Sequence, residues 1–211
     1  MVTINNFIKY CFADAKVTHI SAFKYPPMPK KDYNVNGMER VRIRELRKED
    51  SQKYFEWINN RELVIFNSTY SPISEMNHNS WFDSVTKNNQ IKISSIVIEN
   101  DSAEEVLIGS CSLRNIDALN QSAELQIRIG EESYQNRGFG TKVTQILVDF
   151  GFRDLNLNRI YWDVFQNNKR AIKTYTKCGF VEEGVKRESV FINGEFINIV
   201  QMSILSKEFL K

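Results

Sequence analysis

Histidine and cysteine are scarce: the 211-residue chain has two of the first and three of the second. Cys11, Cys111 and Cys178 are odd in number, far apart and in no Cys-x-x-Cys spacing, which argues against a disulfide framework and a thiolate zinc site. Thiols placed like this suit a reducing, cytoplasmic setting. His19 and His78 fall on either side of an expected domain boundary and make a poor ligand pair, so no metal is expected. No apolar run approaches the ~20 residues that a membrane span needs, so a soluble protein without a membrane partner is expected. Ala13-Asp14-Ala15 mimics a signal-cleavage site, but Lys9 and Asn5-Asn6 break the apolar stretch that should precede it, and secretion is not expected. An excess of one charge is also missing. The 28 basic and 26 acidic side chains leave +2, spread along the chain, and nucleic acid is not expected as a partner.

A hydrophobic content of 42% fits one domain with a core that needs no staples. Residues 1–37 read as a partly ordered N-terminal extension. Tyr25-Pro26-Pro27-Met28-Pro29 breaks regular structure and Asn34-Val35-Asn36-Gly37 is turn-rich. Phe7, Ile8, Tyr10, Phe12, Phe23 and Tyr25 give this segment more aromatic surface than a flexible tail carries, enough to dock on the domain or on a second subunit. Residues 38–211 read as the domain.

Its elements follow from periodicity. A strand starts at Val41, and Asp50 stands as N-cap to a helix carrying Tyr54, Phe55, Trp57 and Ile58. A second helix follows Ser74, with Trp81, Phe82 and Val85 at helical spacing. Three antiparallel strands come next: Ile91 to Glu99, Val106 to Arg114 and Ala123 to Ile129, the first two joined across Asn100-Asp101-Ser102. Val143, Ile146, Leu147 and Phe150 make one apolar stripe on a helix that begins at Gly138. Arg159 to Phe165 is a strand, Lys169 to Cys178 a helix closed by Gly179, and Asn193-Gly194 the turn of a type I′ hairpin. The sum is an α/β (α+β) domain with a mixed, mostly antiparallel central sheet flanked by helices and a C-terminal β-hairpin.

Gln135-Asn136-Arg137-Gly138-Phe139-Gly140-Thr141 lies between a strand and a helix, where unpaired amides and the helix dipole favour an anion. It is not a P-loop, because Thr141 precedes Lys142 and no glycine sits five residues before Gly140. It is not a Rossmann fingerprint, because Val143 occupies the place of the third small residue. What remains is Gln/Arg-x-x-Gly-x-Gly/Ala, matched by Gln135, Gly138 and Gly140. The run from Asn168 through Ala171, Ile172, Tyr175 and Cys178 to Gly179-Phe180 matches Asn-x-x-Ala-Ile-x-x-Tyr-x-x-x-Gly-Phe.

With these two blocks in order, the chain from about Val41 to Leu205 resembles the GNAT superfamily of acetyl-CoA-dependent N-acetyltransferases. The resemblance implies the GNAT fold and acetyl-CoA as co-substrate. The strand Leu125, Gln126, Ile127, Arg128, Ile129 would bind the pantetheine arm through its backbone. Gln135 and Asn136 would flank the loop whose amides, from Arg137 through Gly138, Phe139 and Gly140 to Thr141, take the pyrophosphate, while Asn168 and Ala171 would meet the cofactor from the next helix. It makes Tyr175 the general acid for the departing thiolate, a phenol of ordinary pKa about 10 being matched to that task. Read without the motif, Tyr175 shares a helical face with Ala171, Ile172 and Cys178 and fits a core role.

Glu124 is the candidate base. It shares a strand face with Gln126 and Arg128, opposite Leu125, Ile127 and Ile129, and either lines a cleft or merely pairs with Arg128 or another base. The acceptor is expected to be a small primary amine. Ala123 through Phe196 is similar to spermidine N-acetyltransferases. Trp57-Ile58-Asn59-Asn60, Tyr70-Ser71-Pro72-Ile73-Ser74 and Trp81-Phe82 are similar to enzymes that acetylate nucleotide-linked amino sugars. Enzymes acting on N-termini of ribosomal proteins share the layout, and a CoA-binding module without turnover is the reading from another class. A polycation would call for carboxylates at the cleft, for which Glu56, Glu62, Glu75, Asp83 and Glu195 are available. The resemblance also suggests a homodimer through the C-terminal ribbon.

Overall fold

The computed structural model describes residues 26–27, 33–35, 39–65, 70–99 and 104–209. Eight strands form one sheet: β1 (Tyr33–Val35), β2 (Glu39–Arg44), β3 (Lys92–Glu99), β4 (Glu105–Asp117), β5 (Ser122–Ile129), β6 (Arg159–Phe165), β7 (Val181–Ile192) and β8 (Glu195–Leu205). Their order is β1-β2-β3-β4-β5-β6-β8-β7, and among the described residues the β5–β6 pair alone is parallel. The helices are α1 (Ser51–Asn59), α2 (Arg61–Val64), α3 (Glu75–Val85), α4 (Phe139–Arg153), α5 (Lys169–Lys177) and α6 (Ser206–Phe209).

Strand alternation sorts the side chains onto two faces. On β3, Ile96 and Ile98 enter the main core under α4 and α5, whereas Ile93 packs with Tyr54, Trp57 and Phe82 under α1 and α3. A bulge around Ile108, where Ile96 pairs with Gly109 and Val97 with Leu107, reverses the alternation on β4. The stripe expected on α4 is fully buried: Val143 and Leu147 have no exposed surface and Ile146 and Phe150 almost none. Gly151 lets this helix sit against β6, since a Cβ there would meet Ile160 Cδ1 at 2.6 Å. Asn193 and Gly194 both have positive φ, 54° and 87°, between paired Ile192 and Glu195, as a two-residue hairpin turn requires.

Two local expectations need correction. Tyr33–Val35 is an edge strand paired with β2, Tyr33 opposite Val41, so the sheet reaches into the segment read as a turn-rich extension. Val35 is buried in the main core and Tyr33 packs beside it, which gives this short strand an apolar reason to pair. The aromatic residues from Phe7 to Tyr25, and the turn at residues 100–103, lie outside the described residues. Asp50 does occupy the N-cap position of α1, but its carboxylate makes no capping bond. It accepts instead from Arg44 Nη1 and Nη2 at 2.7 and 2.8 Å, from the Arg47 amide at 2.9 Å and from Ser95 Oγ at 2.7 Å. A buried carboxylate recruits the strongest donors in reach, and a neighbouring guanidinium outcompetes a helix amide. Ser74 caps α3 as expected, accepting from the Asn77 amide at 3.3 Å.

Candidate active site

The helix start is built for an anion. Gly138 caps α4 with φ 94°, in the left-handed region, and the first helical bond runs from the Lys142 amide to its carbonyl at 3.1 Å. The amides of Phe139, Gly140 and Thr141 therefore precede any intrahelical acceptor, at the positive end of a helix of 15 residues. A Cβ added at Gly140 would meet nothing within 4 Å, so the backbone there fronts open space.

That space is a cleft of about 880 Å³. It opens because β5 and β6 pair only from Ser122–Arg159 to Glu124–Tyr161 and then part. Beyond Glu124 one edge of β5 has lost its neighbour, and its backbone groups need another partner. Ile127, Arg128 and Ile129 line the cleft on that edge; Asn60, Glu62 and Leu63 close it from the α1–α2 side, and Asn168, Ala171 and Tyr175 from α5. Gln135 donates from Nε2 to the Ile129 carbonyl at 3.2 Å, fixing the loop to the strand end, while Arg170 reaches Gln135 Oε1 at 3.3 Å and Asn136 Oδ1 at 3.2 Å. Asn168 is the N-cap of α5, accepting from the Ala171 amide at 3.1 Å. The α4 and α5 helices are joined near the loop by Cys178 Sγ, which donates to the Thr141 carbonyl at 3.5 Å.

Tyr175 is a core residue that also lines the cleft: it is 5% exposed and packs 5.5 Å from the Phe180 ring. Burial pushes its phenol above the usual range, the adjacent Cys178 adding to this, so the hydroxyl stays protonated at any ordinary pH. Burial also raises the Cys178 thiol, to about 11, against an opposing hydrogen bond with Thr144. Neither cysteine of the described residues has the exposure and low pKa of a nucleophile: Cys111 is buried and pushed up likewise.

Of the residues singled out from sequence, the cleft gathers Ile127, Arg128, Ile129, Gln135, Asn136, Gly138, Gly140, Thr141, Asn168, Ala171 and Tyr175. The others stand apart. Leu125 is fully buried in the main core, and Gln126 accepts from Arg114 Nη1 at 3.0 Å. Phe139 is a core side chain, and Arg137 lies over the Tyr134 and Phe139 rings, 5.2 and 5.8 Å from their centroids. Glu124 is not among the lining residues: it accepts from Asn115 Nδ2 at 2.7 Å and faces Arg114 at 3.8 Å. Its sequence partner Arg128 goes elsewhere. Of the five carboxylates offered for a polycation, Glu62 alone lines the cleft.

Sequence reasoning missed how α1 meets the site. Gly130 has the face of Trp57 where a side chain would be, a Cβ falling 2.2 Å from the ring, and Trp57 Nε1 donates to Glu131 Oε1 at 3.2 Å. Lys53 pairs with the same oxygen at 3.0 Å. A Trp at helical spacing followed far along the chain by Gly-Glu carries no pattern that would announce this.

A loop of free helix amides, a parted strand edge and a buried tyrosine in one cleft define a class, and the comparisons agree. Residues 40–181 match the model of the acetyltransferase (GNAT) domain family, and the chain belongs to that family. The spermidine N(1)-acetyltransferase of Vibrio cholerae is 39% identical over 110 residues, 52% of this chain and 63% of that protein. Its Escherichia coli counterpart is 37% identical over 102 residues, 48% of this chain and 54% of that protein. The matched stretch is thus less than two thirds of either relative. In three dimensions, the V. cholerae spermidine N-acetyltransferase in complex with CoA and spermine is similar with a TM-score of 0.69 at 30% identity, covering 81% of this chain and 98% of that one. A dodecameric structure of the enzyme in an intermediate state gives 0.67 at 29%, covering 81% and 96%. Neither relative is named for an amino-sugar acceptor.

Proposed function

We propose that the chain transfers the acetyl group of acetyl-CoA to the primary amine of a small molecule. One observation carries this reading: the unpaired amides at the start of α4, the free edge of β5 and Tyr175 border a single cleft. The amides of Phe139, Gly140 and Thr141 suit the pyrophosphate, with Gly138 and Gly140 keeping side chains out of its way. The backbone of Ile127 to Ile129 suits the amides of the pantetheine arm. The neutral amine then adds to the thioester carbonyl, the carbon–sulfur bond breaks, and Tyr175 protonates the departing thiolate, whose basicity the same desolvation raises alongside that of the phenol. The ammonium formed on the nitrogen loses its proton to water, because Glu124 is engaged by Asn115 and Arg114 outside the cleft.

The acceptor is the finer part of the proposal. Two relatives named for spermidine make polyamines the first class to test. A second reading, an amine that carries an anion, as nucleotide-linked amino sugars do, is favoured by Arg128 in the cleft. Likeness to a dodecameric enzyme supports self-association as well.

The test is amine-dependent thiol release from acetyl-CoA, with the product identified by mass spectrometry. Spermidine, spermine, UDP- and dTDP-linked amino sugars and ribosomal N-terminal peptides form the panel. Acetylation within one class is the expected result. Bound acetyl-CoA with no release in the presence of any amine would leave a binding module without turnover.

A further inference from the structure

Among the charged residues that line the cleft, Arg128 is the one not exposed to solvent, and its surroundings leave it uncompensated. It stands on β5 one strand face away from the main core, in line with Gly130, whose bare α-carbon abuts Trp57 of α1. Its side chain therefore lies on the side where α1 and α2 close the cleft, away from the phosphate-binding start of α4. It is largely buried, and no hydrogen bond or ion pair holds its guanidinium among the described residues; Nε is enclosed without any partner. Desolvation lowers its pKa, and no carboxylate acts against that. The two acidic side chains that line the cleft, Glu62 and Glu132, are both exposed to solvent. A guanidinium that is partly desolvated and unpaired is costly, and an anionic ligand in the cleft would relieve that cost.

Extending the acetyltransferase reading, on which it rests, we infer that Arg128 is a specificity residue: it binds a phosphate or carboxylate borne by the acceptor, which positions that molecule's amine. A planar guanidinium donates in pairs to either anion, with a contact worth roughly tenfold or more in affinity. The same charge repels a bare polycation entering from this side and favours the neutral form of the attacking amine. Lys169, Arg170, Lys173 and Lys177 add to the positive lining but lie on or next to α5, beside the loop expected to take the co-substrate's own phosphates.

Calorimetry in the presence of CoA tests this with matched pairs. Glucosamine against glucosamine 6-phosphate probes phosphate, and 1,4-diaminobutane against 4-aminobutyrate probes carboxylate, with spermidine as the polycation. In the wild type the anionic member of one pair should bind at least about tenfold more tightly than its partner. Arg128→Met should abolish that preference and Arg128→Lys should keep part of it, with CoA affinity in both variants close to wild type. The pair that responds identifies the anion. An equal preference in Arg128→Met, a loss of CoA affinity in its place, or spermidine binding better than both anionic probes would each overturn the inference. Because binding is read without turnover, the two proposals fail separately. Arg128-dependent anion binding without acetyl transfer removes the enzymatic reading alone, and acetylation of spermidine untouched by Arg128 removes this one alone.

Discussion

At the scale of single residues, the proposed chemistry rests on Tyr175. Replacing it with phenylalanine keeps the ring that packs on Phe180 and removes the proton donor, so kcat should fall by about 10²-fold while KM for acetyl-CoA stays near its wild-type value. An unchanged rate at neutral pH removes the acid role. Gly138 is constrained twice, by φ of 94° and by its place at the amide cluster. Gly138→Glu adds backbone strain and a carboxylate where the pyrophosphate is expected, and isothermal titration should show acetyl-CoA binding lost. That both positions border one cleft was legible in the sequence, because the loop and the Asn-to-Gly-Phe block fix their register. Glu124 and Arg128 were legible only as sharing a strand face. Alternation gives the face, but whether Arg114 and Asn115 capture Glu124 depends on the neighbouring strand, and nothing in β5 itself announces it.

Among elements, the junction of β2, α1 and β3 rests on Asp50. Burial alone would raise its pKa, but the bonds from Arg44, the Arg47 amide and Ser95 outweigh it and hold the carboxyl below its usual range. With the folded value below the unfolded one, the unfolded chain binds the proton first. The stabilisation is therefore present above pH about 4 and is lost as pH falls through the folded value. Asp50→Asn should cost about 3 kcal/mol in chemical denaturation and flatten the acid side of the stability profile; a profile like wild type would show the network to be idle. A second contact between elements is made where Trp57 covers Gly130. Gly130→Ala puts a methyl into the indole and should push α1 off the end of β5, costing about 1–3 kcal/mol, with a shift in Trp fluorescence to report it. Ser74 and the Asn193-Gly194 turn were readable because their chemistry is local. The diversion of Asp50 to Arg44 was not, since the choice between capping a helix and pairing with a guanidinium is made by packing.

For the whole molecule, the order of the strands and the longer helices from β2 onward follows from periodicity with cap and turn signals, while the short α2 and α6 and the cleft do not. The cleft arises because two parallel strands pair for three residues each and then separate, and parallel register leaves no mark in either sequence. The edge strand β1 escaped for a related reason: three residues are too short for alternation to register, and its pairing depends on Val35 finding the main core. The lining of the cleft, with Arg128 and the lysines and arginine at α5 against Glu62 and Glu132, sets the charge that an acceptor meets. The most direct test of the central claim is steady-state thiol release from acetyl-CoA by the purified chain as a function of amine concentration. The account predicts saturable release that requires the amine, one acetylated product per thiol, with Tyr175→Phe slow and Gly138→Glu silent. Release at the same rate without any amine, or a Gly138→Glu variant as active as wild type, would contradict it.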